Sequence, residues 1–384
     1  MRPVLFVTGH APADRVGAFA RLHEVEGVEF ALFGGPSKHG GPASAEQRAL
    51  ARELPFPHRE LPFPHRYISQ REPARLAASG RYRAVVCSTG GRIALGATWA
   101  GARRGRVPLI LWSSLWAHPR SAVHALSFLA LRRLYRSADA VVTYGSHVSA
   151  YVEARGARNV HVAPQAVDND FWSAPEIARP HWPNADRPAS PERAGVKFLF
   201  VGRPAREKGV RVLTEAWRTA GLQAPTAALV LVGVGSNPPW VSAGGAVGRE
   251  EEGILCMDPV TPVELRSLYA ACDVLVVPSI ATPTFREPWG LVVNEAMNRG
   301  LPVIASDAVG AVGGGLVRDG RNGLVVSAGD SDALAGAIGR LAAEPTLRTR
   351  LGEAGAEDVR AFSYDAWAEG FSRALASLGI ARAH

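Results

Sequence analysis

Apolar residues in the first half of the chain recur in short blocks, at 3–8, 28–33, 84–87, 109–112, 141–144 and 160–163. Between them lie longer stretches with apolar positions at helical spacing, notably 15–23, 93–102 and 123–136. Blocks of four to six residues are strand length, and their alternation with helical patterns predicts a parallel, doubly wound α/β sheet. A second series repeats the pattern, with strands expected at 198–201, 228–232, 254–257, 274–277, 303–305 and 323–326. The last pattern, 364–378, is amphipathic and predicts a helix.

Between the two series the pattern breaks. Residues 171–195 carry five prolines and few β-branched residues, the composition of a linker or a long surface loop. With 384 residues the chain is too long for one ordinary core. Four segments are therefore expected: an N-terminal domain over 1–170, a Pro-rich linker over 171–195, a second domain over 196–363 and a C-terminal helix over 364–384. A second irregularity is a tandem repeat, Glu53-Leu-Pro-Phe-Pro-His-Arg59 followed at once by Glu60-Leu-Pro-Phe-Pro-His-Arg66. It reads as a duplication tolerated in a surface loop, because loops accept insertions cheaply. The alternative is an extended lid carrying His58, Arg59, His65 and Arg66.

Composition narrows the function classes. The net charge is +8, yet lysine occurs only as Lys38, Lys197 and Lys208, and arginine supplies the rest. No cluster of basic residues is interleaved with aromatics, so nucleic-acid binding is not expected. The three cysteines, Cys87, Cys256 and Cys272, are far apart and lie in or beside apolar runs. They read as buried thiols in a reducing compartment. The N-terminal residues read as a first strand, and no run of 18 apolar residues occurs; a cytoplasmic protein is expected. In 123–136, Leu126, Phe128, Leu129, Leu131 and Leu134 precede Arg132, Arg133 and Arg136, a core helix with cations at its C-terminus. A peripheral contact with the inner face of a membrane is the alternative.

Chemistry concentrates in Arg286-Glu287-Pro288-Trp289-Gly290-Leu291-Val292-Val293-Asn294-Glu295. A strand has no use for Glu followed by Pro-Trp-Gly; a loop that brings backbone amides to a polyol does. If a helix starts near Leu291, Glu287 sits in the loop before it and Glu295 about a turn inside. Acceptor-only carboxylates suit sugar and ribose hydroxyls. Upstream, Gly202-Arg203-Pro-Ala-Arg206-Glu-Lys208-Gly209 follows a strand and opens a helix. Arg203 and Lys208 at a helix N-terminus suit a diphosphate. Arg206 is expected to face solvent.

These segments resemble the donor-site motifs of the retaining family-4 glycosyltransferases of GT-B fold. The resemblance extends to Gly300-Leu-Pro-Val-Ile-Ala-Ser-Asp307 and Val317-Arg-Asp-Gly320-Arg-Asn-Gly323-Leu. It covers about the last 190 residues and is looser over the first 160. It implies two Rossmann-like domains facing a central cleft, with the C-terminal helix crossing back to the first. The implied donor is a nucleotide diphosphate sugar, with a UDP-sugar as the default, and the acceptor a small molecule, a glycan or a lipid-linked sugar. Arg203 and Lys208 would bind the leaving diphosphate, Glu287 the sugar and Glu295 the ribose, with backbone amides of Trp289, Gly290 and Leu291 as further donors. The Trp289 side chain stays open between packing and ligand contact.

In the first domain, Gly9 and Gly17 flank a loop that would face the donor phosphates, although the Gly-Gly pair frequent there in the family is missing. His118, after the 109–112 strand, matches the family's loop histidine beside the transferred sugar. His10 is its rival, and an ordinary surface histidine would look the same. No Asp-x-Asp or other metal-ligand spacing lies in a suitable loop, so metal-independent transfer without a cofactor is expected. A catalytically silent nucleotide-sugar-binding subunit and a sugar-nucleotide epimerase of related fold are the alternatives.

Overall fold

The computed structural model describes residues 2–34, 61–91, 93–120, 122–175, 180, 182, 191–235 and 253–382. The chain divides into two compact units, one of residues 1–168 and 362–384, the other of residues 169–361.

Among the described residues the first unit is built on seven strands: β1 (Val4–Thr8), β2 (Val28–Leu32), β3 (His65–Tyr67), β4 (Ala84–Ser88), β5 (Leu109–Ser113), β6 (Ala140–Thr143) and β7 (Val160–Val162). They pair in the order β3-β2-β1-β4-β5-β6-β7, and every pair is parallel. The central strands are buried along their whole length, which is why they read as unbroken apolar runs. Crossovers are supplied by α1 (Val16–Glu26), α2 (Glu72–Ala77), α3 (Ala94–Gly105), α4 (Ala122–Ser137) and α5 (Ser146–Glu153).

The second unit opens with a short helix, α6 (Asn169–Ser173), whose Trp172 packs edge-on to Tyr269 at 5.7 Å. Six parallel strands follow: β8 (Val196–Val201), β9 (Ala227–Val232), β10 (Ile254–Met257), β11 (Val274–Val277), β12 (Val303–Ser306) and β13 (Gly323–Val326). Their order, β10-β9-β8-β11-β12-β13, is that of the first sheet with one strand fewer. The helices among the described residues are α7 (Val210–Ala220), α8 (Pro262–Ala271), α9 (Val292–Asn298), α10 (Gly310–Gly313), α11 (Ser331–Ala343) and α12 (Pro345–Asp358). Thr261 and Glu264 cap α8 reciprocally. The last helix, α13 (Tyr364–Ala376), belongs to the first unit and starts at Ser363, whose hydroxyl accepts from the Ala366 amide. Its Trp367 and Phe371 lie 5.8 Å from Phe19 and 5.6 Å from Phe6.

Two expectations need correction. The second copy of the repeat is not a surface loop: Phe63 is buried against Phe30 at 4.5 Å, and His65–Tyr67 adds an edge strand to the sheet. The alternation of proline with apolar residues hides a strand that pairs on one side only. The first copy lies outside the described residues. In α4, Leu131 and Leu134 pack against the core, but Leu129 is 70% exposed on the face that carries Arg132 and Arg133. The side chain of Leu126 lies outside the described residues. Cys87 and Cys272 are buried thiols and Cys256 is half-buried; burial pushes Cys87 up to about 12. No helix of the described residues is long and apolar enough to cross a membrane.

Candidate active site

The loop after β8 is shaped by what it must avoid. Gly202 donates its amide to Val232, and a Cβ on Gly233 would meet the Gly202 carbonyl at 2.9 Å. The chain then makes a 3-10 turn, Arg206–Lys208, and passes through Gly209 at φ +71° into α7. A Cβ on Gly209 would stand 1.8 Å from the Pro278 carbonyl oxygen. The Ile280 amide donates to the Glu207 carbonyl at 2.9 Å. The turn is therefore clamped against the end of β11, and only glycine permits that approach.

This clamping sets Lys208. Its Nζ donates to Oε2 of Glu287 at 2.5 Å, an ion pair in which the Lys208 and Glu287 side chains keep 22% and 9% exposure. Pairs this sheltered are screened less than surface pairs. Arg203 donates to Oε1 of Glu207 at 3.2 Å and stays more accessible, while Arg206 is exposed as expected.

Glu287 is held by its own loop. Its carbonyl accepts from Gly310, and the Trp289 carbonyl accepts from Ala311 at 2.8 Å. A Cβ on Gly310 would lie 1.9 Å from the Pro288 carbonyl oxygen. The Trp289 side chain resolves as packing: it is buried, and its indole donates to Asn294 at 2.8 Å. Gly290, at φ +94°, and Leu291 then lead into α9. On α9, Glu295 accepts a hydrogen bond at 2.8 Å from the hydroxyl of Tyr269 on α8. Burial, and then the Glu295 charge, push the Tyr269 phenol well above its ordinary value, so it remains a donor. Sequence reasoning missed Tyr269 because it lies 26 residues from its partner in an ordinary helix pattern.

The structure thus brings Lys208 and Glu287 into one ion pair and gives Arg203 and Glu295 partners of their own. In the first unit, Gly34 donates to the Gly9 carbonyl at 2.7 Å, which ties the ends of β1 and β2. Gly17 has a packing reason, since a Cβ there would sit 2.2 Å from the Tyr364 ring. His118 lies in the loop after β5, with Nδ1 3.4 Å from the Tyr151 hydroxyl and its ring edge-on to Phe128. His10 is half-buried beyond β1. Among the described residues no group of three His, Cys, Asp or Glu side chains is placed to hold a metal ion.

Two parallel sheets wound in the same order define the GT-B fold. A solved structure described as Anabaena Alr3699/HepE in complex with UDP and glucose matches 98% of this chain and 100% of its own, with TM-score 0.69 and 18% identity. Residues 195–344, all within the second unit, match the family described as Glycosyl transferases group 1. The D-inositol 3-phosphate glycosyltransferase of Xylanimonas cellulosilytica is 30% identical over 290 residues, 70% of this chain and 66% of that relative. The phosphatidyl-myo-inositol mannosyltransferase of Mycobacterium leprae is 35% identical over 218 residues, 56% of this chain and 52% of that one. The chain thus matches between about half and two thirds of the length of these relatives.

Proposed function

We propose that the chain is a retaining, metal-independent glycosyltransferase that moves a sugar from a nucleotide diphosphate sugar to an acceptor hydroxyl. The observation that carries this reading is the Lys208–Glu287 ion pair, set by the Gly209 turn inside the stretch that matches the group 1 family. A cation next to a carboxylate suits a sugar diphosphate, because the two ends of the scissile bond need opposite partners. Lys208 and Arg203 take the diphosphate oxygens, where negative charge grows as the bond to the anomeric carbon breaks. Glu287, released from Lys208, accepts from sugar hydroxyls. Glu295, held by Tyr269, accepts from the ribose.

Retention follows from a front-face reaction. The bond from the anomeric carbon to the leaving phosphate oxygen breaks, that phosphate oxygen takes the proton of the acceptor hydroxyl, and the hydroxyl oxygen bonds to the same face of the anomeric carbon. The two cations do the work that a divalent ion would do elsewhere. The complex of the Anabaena protein with UDP supports UDP as the base carrier, and the names of the relatives support a polyol acceptor.

The test is a melting panel with UDP, GDP, ADP and dTDP, with and without magnesium. A ligand that binds only the folded protein raises its melting temperature by mass action. A shift with one nucleotide, unchanged by EDTA and lost in Arg203→Ala, is expected, followed by transfer from the matching sugar nucleotide to a product of unchanged anomeric configuration. No shift with any nucleotide sinks the reading. Consumption of the donor without acceptor would assign an epimerase instead.

A further inference from the structure

The first unit holds a second cation at the place equivalent to Lys208. Arg15 ends a 3-10 turn, Ala13–Arg15, between β1 and α1. It is 9% exposed, and its guanidinium carbon lies 5.7 Å from the Trp112 ring centre and 5.4 Å from that of Tyr144. Trp112 and Tyr144 stand at the carboxyl ends of β5 and β6, the edge at which open parallel sheets bind ligands.

Two donors here have nothing to donate to. Nη1 of Arg15 and Nε1 of Trp112 are both buried and, among the described residues, neither has a hydrogen-bond partner. Buried donors are rarely left unmade. The Asp14 carboxylate comes within 3.6 Å of Arg15 Nε, which is outside hydrogen-bond range. α1 follows Arg15, its N-cap, with no side-chain cap and no acidic residue in its first turn, so its positive end is also open.

We propose that Arg15 and Trp112 form a ligand site that takes an oxyanion, phosphate or carboxylate, on a substrate that also carries hydroxyls. Arg15 pairs with the oxyanion, and the Trp112 indole donates to one of its oxygens. Asp14, 3.6 Å from Arg15, would repel a bare anion but accept from hydroxyls, so the chemistry fits an anionic polyol such as a sugar or cyclitol phosphate. In the reading above this substrate is the acceptor, and the inference rests on that reading; the diphosphate of the donor is the other source of the same oxyanion.

The experiment is calorimetric titration of the full chain with UDP, inorganic phosphate, glucose 6-phosphate and glucose. Wild type is expected to bind glucose 6-phosphate at least tenfold more tightly than glucose. Arg15→Gln should lose that preference, Arg15→Lys should keep most of it, and UDP affinity should change less than twofold in both. If Arg15→Gln does not fold, Arg15→Lys and Trp112→Phe carry the test, the latter losing about threefold for phosphate and nothing for glucose. A phosphate preference intact in Arg15→Gln, or no binding of either phosphate probe, overturns the site. A loss of UDP binding equal to that of glucose 6-phosphate assigns the oxyanion to the donor and overturns the acceptor assignment. Failure of wild type to bind UDP while the Arg15-dependent preference persists sinks the glycosyl-transfer reading and leaves the site.

Discussion

The first strand, turn and helix of each unit invite direct comparison. In both, a central strand ends in a glycine-bearing loop, makes one 3-10 turn and enters an 11-residue helix, and in both the last residue of that turn is a cation. The differences lie in what surrounds the cation. Lys208 faces a carboxylate at 2.5 Å and is followed by a glycine pressed against a backbone carbonyl. Arg15 faces aromatic rings, and the glycine two residues on is pressed against a side chain, Tyr364. The same local device therefore gives a charge held by a close carboxylate in one unit and, in the other, a charge held by π-faces with a carboxylate farther off, at 3.6 Å. A cation paired with a carboxylate can exchange partners with an incoming ligand. One resting on rings still has donors to offer.

Substitutions at Lys208, Gly209 and Gly17 would break or sharpen this comparison. Lys208→Ala should lower turnover by about 10²–10³-fold, the cost of removing one donor aimed at developing charge; near-normal transfer would show that the ion pair is only structural. Gly209→Ala should cost at least about 2 kcal/mol in denaturant unfolding, because it combines positive φ with a backbone obstacle that cannot move aside. Gly17→Ala should cost about 1–3 kcal/mol through overpacking, but in a Tyr364→Ala background it should turn stabilising by up to about 1 kcal/mol, since alanine is the better helix former. If both glycines respond alike to removal of Tyr364, the distinction between backbone and side-chain clamps fails.

Smaller effects test the supports. Tyr269→Phe should raise the donor KM about three- to tenfold and leave kcat within twofold, as expected for losing a hydrogen bond to a charged group. An unchanged KM would mean that Glu295 needs no help in finding its place. Smallest of all, Asp358 sits among Arg321, Arg318 and Asn322, with its carboxyl held down from 3.8 to about 2. A depressed carboxyl adds stability above its unfolded value and loses it as pH falls toward its folded one. Melting temperature should therefore drop more between pH 4 and pH 2 in wild type than in Asp358→Asn, and parallel acid limbs in the two would refute the assignment.

The alternation of apolar blocks was enough to place nearly every strand of the structure, because strands of a parallel sheet are buried on both faces and their run of Val, Ile and Leu admits little else. The edge strand His65–Tyr67 escaped, since one-sided pairing imposes no such run. The proposed donor motif draws the eye too: Glu-Pro-Trp-Gly and the rare Lys208 stand out in an arginine-rich chain. The sequence by itself therefore determined the fold class and supplied the residue types of the candidate site. Only the tertiary structure decided the partners. Lys208 and Glu287 are 79 residues apart, Tyr269 and Glu295 are 26 apart, and Arg15 lies nearly 100 residues from Trp112. These pairs are set by where strand ends meet across a sheet and by which glycines let two loops touch. No local pattern encodes that distance, because it arises from the order in which the strands pair.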